Sequence, residues 1–355
     1  MTTNRYFCDE LVAMAAELLE QAGVPAEPAQ LISETLVEGD LMGHTTHGLA
    51  LLPAYLRELE SGTMKSRGRP AVISGNLAAV VWDGDYLNGI YLTRLAVEEA
   101  LERSREQPVV TYLIRRAHHI GCLAAYMPEI IEAGRIGILM ASDPSVALVA
   151  PFGGRDPVYS PNPIAAGIPA GPNGPVILDM STSVTAAGVV HRHNKAGTPL
   201  PGQWLLSRDG EPTDDPAAFD NGGSILPLGG LDTGYKGYAL GLLVEALTSG
   251  LAGFGRAEEP TTWGTSVCLQ IINPDAFAGL SALEREMGRV TEACRGSRPR
   301  HGGQDVRVPG DRALALKAEQ LSRGVVVDSE LAETLHERCN KAGVQFPAAI
   351  EEGVD

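Results

Sequence analysis

Apolar positions recur along the chain at two different spacings, and the change between them marks where helices give way to strands. Phe7, Leu11, Met14, Leu18 and Ala22 fall three or four residues apart, which gathers them on one face of a helix over 7–22, and Gly23-Val24-Pro25 ends the pattern. A second helix is predicted over about 28–41, with Leu31, Ile32, Thr35 and Leu36 on its apolar face, and a third over 49–59, closed by Ser61-Gly62. The texture then shortens. Segments 71–73 and 78–82 read as strands around Ser74-Gly75-Asn76, and a helix over about 92–104 follows. Segment 109–114 is continuously apolar, the mark of a strand buried on both faces. It ends at Arg115-Arg116-Ala117-His118-His119-Ile120-Gly121-Cys122, before a helix over 123–131 and a strand over 136–140.

From 151 to 234 the chain is rich in Gly, Pro, Asn and Asp, broken by apolar patches at 164–168 and 176–178, so short strands joined by functional loops are expected. Lys236 is predicted to open an apolar helix running to about 251, and 267–272 to form a strand. Residues 294–312 hold five arginines and a histidine among glycines, a flexible basic loop, and helices near 311–322 and 329–341 close the chain. Helices at both ends around an α/β middle suggest a discontinuous unit of 1–115 plus 295–355, into which an α/β unit of 116–294 is inserted.

A length of 355 residues exceeds one simple core and favours a multidomain enzyme. With 44 acidic against 28 basic residues the formal charge is -16, a field that repels nucleic acid and anionic membranes; an anionic ligand must be held by a local cluster. The five cysteines are scattered and form no CxxC pair, which fits free thiols in a reducing compartment. Asp9, Glu10 and Glu17 interrupt the first apolar residues, and no apolar run reaches the ~18 residues of a membrane span, so a cytoplasmic protein is expected.

Histidine titrates nearest to neutral pH, which makes His119, just past a buried strand and before Gly121, a candidate proton carrier, with His118 second; a structural role is the alternative for both. Gly43-His44-Thr45-Thr46-His47-Gly48 is a second polar cluster. Thr46 either caps the following helix or bonds a substrate, and His47 either binds a carboxylate or carbonyl or only starts the helix. Asp179-Met180-Ser181-Thr182-Ser183 follows a strand, where Asp179 either orients a histidine or amide or caps the turn, and the hydroxyls suit phosphate oxygens. Lys236 at a helix start opposes the helix dipole unless it pairs with a phosphate. Cys122 reads either as a small apolar residue opening a helix or as a neighbour of the histidine site. No HExxH, GxxxxGK[ST] or early GxGxxG occurs, so neither a catalytic metal nor a P-loop or Rossmann site is expected.

Through 44–62, 115–122, 160–164, 179–183 and 234–242, in order and spacing, the chain resembles the malate/L-lactate dehydrogenase family, which is distinct from the Rossmann dehydrogenases. The resemblance extends from Phe7 to about Gly343. It implies a homodimer with a non-Rossmann α/β domain binding NAD or NADP, and a small anionic substrate held between domains. It also implies that His119 transfers the proton, with Thr46, His47 and Asp179 in the catalytic group. Cofactor contacts implied in the same way are Gly121, Cys122, Ser142, Asn162, Pro163, Asp179, Met180, Ser181, Lys236, Arg307, Pro309 and Gly310. Ala117 and Thr46 stand where the family pattern has serines. The larger departure is Leu51, where the family carries the arginine that clamps the substrate carboxylate, so Arg116 or Arg57 is the expected substitute. The implied reaction is hydride exchange between the cofactor and a 2-hydroxy or 2-keto acid. The alternatives are reduction of a cyclic imino acid such as piperideine-2-carboxylate, for which Leu51 offers a more apolar pocket, and a scaffold that has lost catalysis.

Overall fold

The computed structural model describes residues 3–350; residues 1–2 and 351–355, the outer ends of the first expected unit, lie outside them. Strand β1 (Thr3–Tyr6) leads into α1 (Cys8–Gln21) and α2 (Ala26–Leu41), which pack through Leu11, Met14, Leu18, Ile32 and Leu36, all buried. Residues 49–51 form a single 3-10 turn ahead of α3 (Leu52–Ser61), because Pro53 in the first turn sets where the regular helix begins.

Strands β2 (Ala71–Gly75) and β3 (Ala79–Asp83) precede α4 (Gly89–Arg103), whose N-cap Asn88 accepts hydrogen bonds from the amides of Ile90 and Tyr91. Then come β4 (Val109–Ala117), a 3-10 turn at Leu123–Tyr126, α5 (Met127–Glu132), β5 (Ile136–Ser142), β6 (Ile164–Ile168) and β7 (Val176–Met180). Helix α6 (Ala187–Ala196) leads to a small lobe built from β8 (Leu205–Leu206), β9 (Pro212–Thr213), α7 (Ala217–Asp220) and β10 (Ser224–Ile225). This lobe has its own core of Val149, Tyr159, Val190, Leu200, Leu205 and Ile225. Helix α8 (Gly230–Glu245), β11 (Thr265–Ile272), α9 (Leu280–Arg295), α10 (Asp311–Arg323), β12 (Val325–Asp328) and α11 (Ser329–Ala342) complete the chain.

The main sheet has seven strands in the order β2-β3-β4-β11-β5-β6-β7, with β3 parallel to β4 and every other neighbouring pair antiparallel. Alternate residues of its centre serve two cores. Tyr112, Ile114, Val267, Leu269 and Ile271 pack into the large helical core, while Leu113, Met140 and Cys268 pack with Val244 and Ala252 on the other face. That two-sided burial explains the unbroken apolar run at 109–114. The sheet crosses the boundary expected at 115/116, which falls inside β4.

Two expectations need correction. Lys236 does not open its helix: α8 begins at Gly230, breaks at Thr233, which has non-helical backbone angles, and resumes, so Lys236 sits in the first turn after the break. The basic segment 294–312 is not all loop, because α9 extends to Arg295, which pairs with Asp311 at the start of α10. The chain ends are tied together: β1 and β12 form an antiparallel pair, and Gln320 of α10 donates to the carbonyls of Asp40 and Leu41 at the end of α2.

Candidate active site

The loop after α2 is anchored by a buried carboxylate. Asp40 accepts the amide hydrogen of Leu49 at 2.7 Å, and burial pushes its pKa up to about 7 although that bond works the other way. A β-carbon at Gly48 would lie 2.3 Å from the Asp40 carboxyl, so only glycine lets the chain pass this close. The strand of backbone so fixed carries Thr46 and His47, whose Oγ1 and Nδ1 are 2.8 Å apart.

Facing it, the end of β4 delivers His119. Its ring stacks on His47 with centroids 5.7 Å apart and lies 5.2 Å from the Trp263 ring. Nδ1 accepts the Gly121 amide hydrogen at 3.1 Å and lies 2.9 Å from the Tyr55 hydroxyl, which also reaches the His119 carbonyl at 3.3 Å. Among the described residues no protein group meets Nε2, so Nε2 is the nitrogen left for a ligand. Burial, then the neighbouring His47 and His118, hold the His119 pKa well below the ordinary histidine value. Burial also lowers that of His47, which the Asp179 carboxylate partly offsets. His118 is wholly buried, with neither ring nitrogen hydrogen-bonded and Glu58 at 3.7 Å from Nε2; burial keeps it neutral.

Thr46, His47, His119 and Trp263 line one cavity of about 570 Å³ with the 160–163 segment, the end of β7 and the start of α6. Of the residues singled out from sequence, the cavity gathers Thr46, His47, His119, Gly121, Cys122, Ser142, Asn162, Pro163, Asp179, Met180 and Ser181, together with Leu51. Asp179 accepts the Ala124 amide hydrogen at 2.8 Å and lies 3.6 Å from the Cys122 sulfur, whose thiol is pushed well up by burial and by that carboxylate. Two of these side chains already have partners within the fold. Ser142 bonds Thr248 and Ser249, and Asn162, in a left-handed backbone conformation, donates to Gly241 and Glu245.

Other expected residues lie elsewhere. Lys236 is exposed, beside the Tyr235 ring, and does not line the cavity. The stretch carrying Arg307, Pro309 and Gly310 closes the free edge of β7, where the Pro309 carbonyl takes the Ile177 amide hydrogen at 3.0 Å and Gly310 adopts a positive φ against Ile177. Neither proposed replacement for the clamp is in reach. Arg116 is bound through Nε and Nη2 to the buried Asp83, whose carboxyl stays below its ordinary pKa because two guanidiniums outweigh its burial. Arg57 is exposed and outside the lining. No arginine or lysine appears among the cavity-lining residues, whose only basic side chains are His44, His47, His119 and His191.

Tyr55, Trp263 and His191 were not anticipated. Tyr55 lies in α3 eight residues after His47, but a 3-10 turn separates them, so no helical spacing linked the two; Trp263 and His191 come from distant segments with no local motif. A group of His44, Cys122 and Asp179 whose ligand atoms lie within 4.8 Å of one another was also invisible, because its members are up to 135 positions apart. No helix among the described residues is long and apolar enough to cross a membrane.

The malate/L-lactate dehydrogenase family model matches residues 7–336. A malate dehydrogenase of Pyrococcus abyssi is 29% identical over 345 residues, 95% of this chain and 94% of the relative. A Delta(1)-pyrroline-2-carboxylate/Delta(1)-piperideine-2-carboxylate reductase of Pseudomonas syringae pv. tomato is 31% identical over 339 residues, 92% of this chain and 94% of that one. The malate dehydrogenase structure from Pyrococcus horikoshii OT3 superposes with a TM-score of 0.88 at 26% identity, covering 97% of both chains. With that match spanning most of the sequence, the chain belongs to the malate/L-lactate dehydrogenase family and is a hydroxyacid oxidoreductase.

Proposed function

We propose that the enzyme interconverts a small 2-hydroxy acid and its 2-keto acid with NAD or NADP, and that His119 exchanges the proton. The observation that carries this reading is the fixing of His119 through Nδ1 by Gly121 and Tyr55, which leaves Nε2 for the substrate beside His47. The residues present suit a nicotinamide dinucleotide, because the cavity combines the walls of Ile120, Leu123, Val146 and Leu148 with the polar Ser142, Asp179 and Ser181. When bound, that group takes or supplies the hydride.

In oxidation, as hydride leaves the substrate carbon, its hydroxyl proton passes to Nε2 of His119 and the carbonyl double bond forms. Nε2 must then begin unprotonated, so the ring proton must sit on Nδ1. The Tyr55 oxygen accepts it there, turning its own proton toward the His119 carbonyl. The Gly121 amide, which only donates, favours the opposite tautomer, with the proton on Nε2. In that tautomer, and in the doubly protonated ring, Nδ1 gives up the Gly121 amide hydrogen and is held by the Tyr55 oxygen instead. In reduction the doubly protonated ring donates from Nε2, and His47, oriented by Thr46, stabilises the oxygen that gains charge. Replacing His119 with Ala is expected to abolish turnover while nicotinamide cofactor binding, read by fluorescence titration, is kept; unchanged kcat removes His119 from this role.

A cyclic imino acid is the second reading, favoured by Leu51 and the absence of guanidinium from the cavity lining. Its carboxylate needs a less strongly charged seat, and a relative acting on such imines shares 31% identity. Following nicotinamide absorbance across 2-keto acids and cyclic imines separates the two: reduction of imines alone replaces the first reading with the second. A homodimer is proposed as well, supported by the exposed apolar face of α8 and the turn after it, with Leu231, Tyr235, Leu242, Leu243 and Leu251 each about half exposed. A monomeric sedimentation coefficient at micromolar concentration would remove that assignment.

A further inference from the structure

We propose that His44, Cys122 and Asp179 form a binding site for a thiophilic divalent metal such as Zn²⁺, at the wall of the catalytic cavity. The three side chains come from three separate elements, the loop after α2, the turn after β4 and the end of β7, and supply one nitrogen, one sulfur and one oxygen within 4.8 Å of one another. A metal about 2.3 Å from sulfur and about 2.0–2.2 Å from nitrogen and oxygen sets tetrahedral ligands roughly 3.3–3.7 Å apart. The Cys122 sulfur and Asp179 Oδ2 already satisfy that at 3.6 Å. The His44 nitrogen lies within 4.8 Å of both, so an approach of up to about 1 Å would complete the set.

The chemistry of the donors selects the ion. A thiolate excludes Mg²⁺ and Ca²⁺, and a nitrogen, sulfur and oxygen trio with one position left open is the pattern of zinc. The Ala124 amide, donating to Asp179, orients the carboxylate as outer hydrogen bonds do at metal sites. Binding is a displacement: the metal–sulfur bond forms, the thiol proton is released to solvent, and no electron changes hands. Thiolate and carboxylate then neutralise the dication, which removes the cost of holding a negative sulfur in this buried position. The fourth position is left for water or a ligand in the cavity.

The test uses Co²⁺ as a coloured stand-in for Zn²⁺ on the purified full chain. One Co²⁺ per chain is expected, with a thiolate-to-cobalt charge-transfer band that Zn²⁺ bleaches. Cys122→Ala should lose the band and bind Co²⁺ at least about 100-fold more weakly, and His44→Gln should keep the band with about 10-fold weaker binding. Cys294→Ser, at the exposed thiol, should leave the band unchanged. No band in the wild-type chain at millimolar Co²⁺, or a band that survives Cys122→Ala, overturns the proposal. Should Cys122→Ala fail to fold, unaltered Co²⁺ affinity in His44→Gln overturns it equally.

Discussion

Replacing Asp40 with asparagine removes a charge from the interior while keeping an oxygen to accept the Leu49 amide hydrogen. The carboxyl titrates near pH 7 in the folded chain against an ordinary value of 3.8, so between those values the folded state holds a proton that the unfolded state has lost. Stability therefore falls as pH rises through that window and levels off above about 7. Some three pH units at 1.36 kcal/mol each put the ceiling near ~4 kcal/mol, and local relaxation brings the expected effect to about 2–3 kcal/mol. The neutral asparagine side chain carries no such penalty. Urea unfolding at pH 4.5 and pH 8 should show Asp40→Asn close to wild type at the lower pH and more stable by about 2–3 kcal/mol at the higher. An equal difference at both pH values, or a variant less stable at pH 8, would refute the reasoning, because it would mean that the carboxyl ionises in place without cost.

Three further outcomes follow from the cavity. Because His119 is held below the ordinary histidine pKa and must be unprotonated to accept a proton, kcat/KM for oxidation should stay level through pH 6.5 and fall only at lower pH; a midpoint above 6.5 contradicts this assignment. Tyr55→Phe removes the oxygen that receives the Nδ1 proton, so kcat for oxidation should drop about 10- to 100-fold with cofactor affinity unchanged, as stopped-flow and binding titration would show. Leu51→Arg brings a guanidinium to the lining and should lower KM for 2-keto acids about 10-fold, whereas a raised KM would mean that the carboxylate docks on another wall.

Sequence reasoning reached what is written in local periods and in residue chemistry. The run at 109–114 announced a central strand because both of its faces are buried, the imidazole at 119 stood out because few side chains exchange protons near neutral pH, and that at 47 because it belongs to a polar cluster just before a helix. What escaped it depends on contacts between distant positions. Arg116 looked available for an anion only because Asp83, 33 residues earlier, could not be seen to hold it. The two-residue strands of the small lobe are too short for a period, and β1 finds its partner across more than 300 residues. The break at Thr233 was hidden for a different reason. It interrupts a helix whose apolar residues run on either side, so pattern alone put the start at Lys236.

The pairing of β1 with β12 also governs the order in which the molecule can be made. Strand β1 and the end of α2 cannot complete their contacts until Gln320 and Val325–Asp328 have left the ribosome, about 280 residues or more after the segments they join. A nascent chain arrested before that point would carry α1 and α2 with an open flank, and chaperone engagement should persist until synthesis passes Asp328.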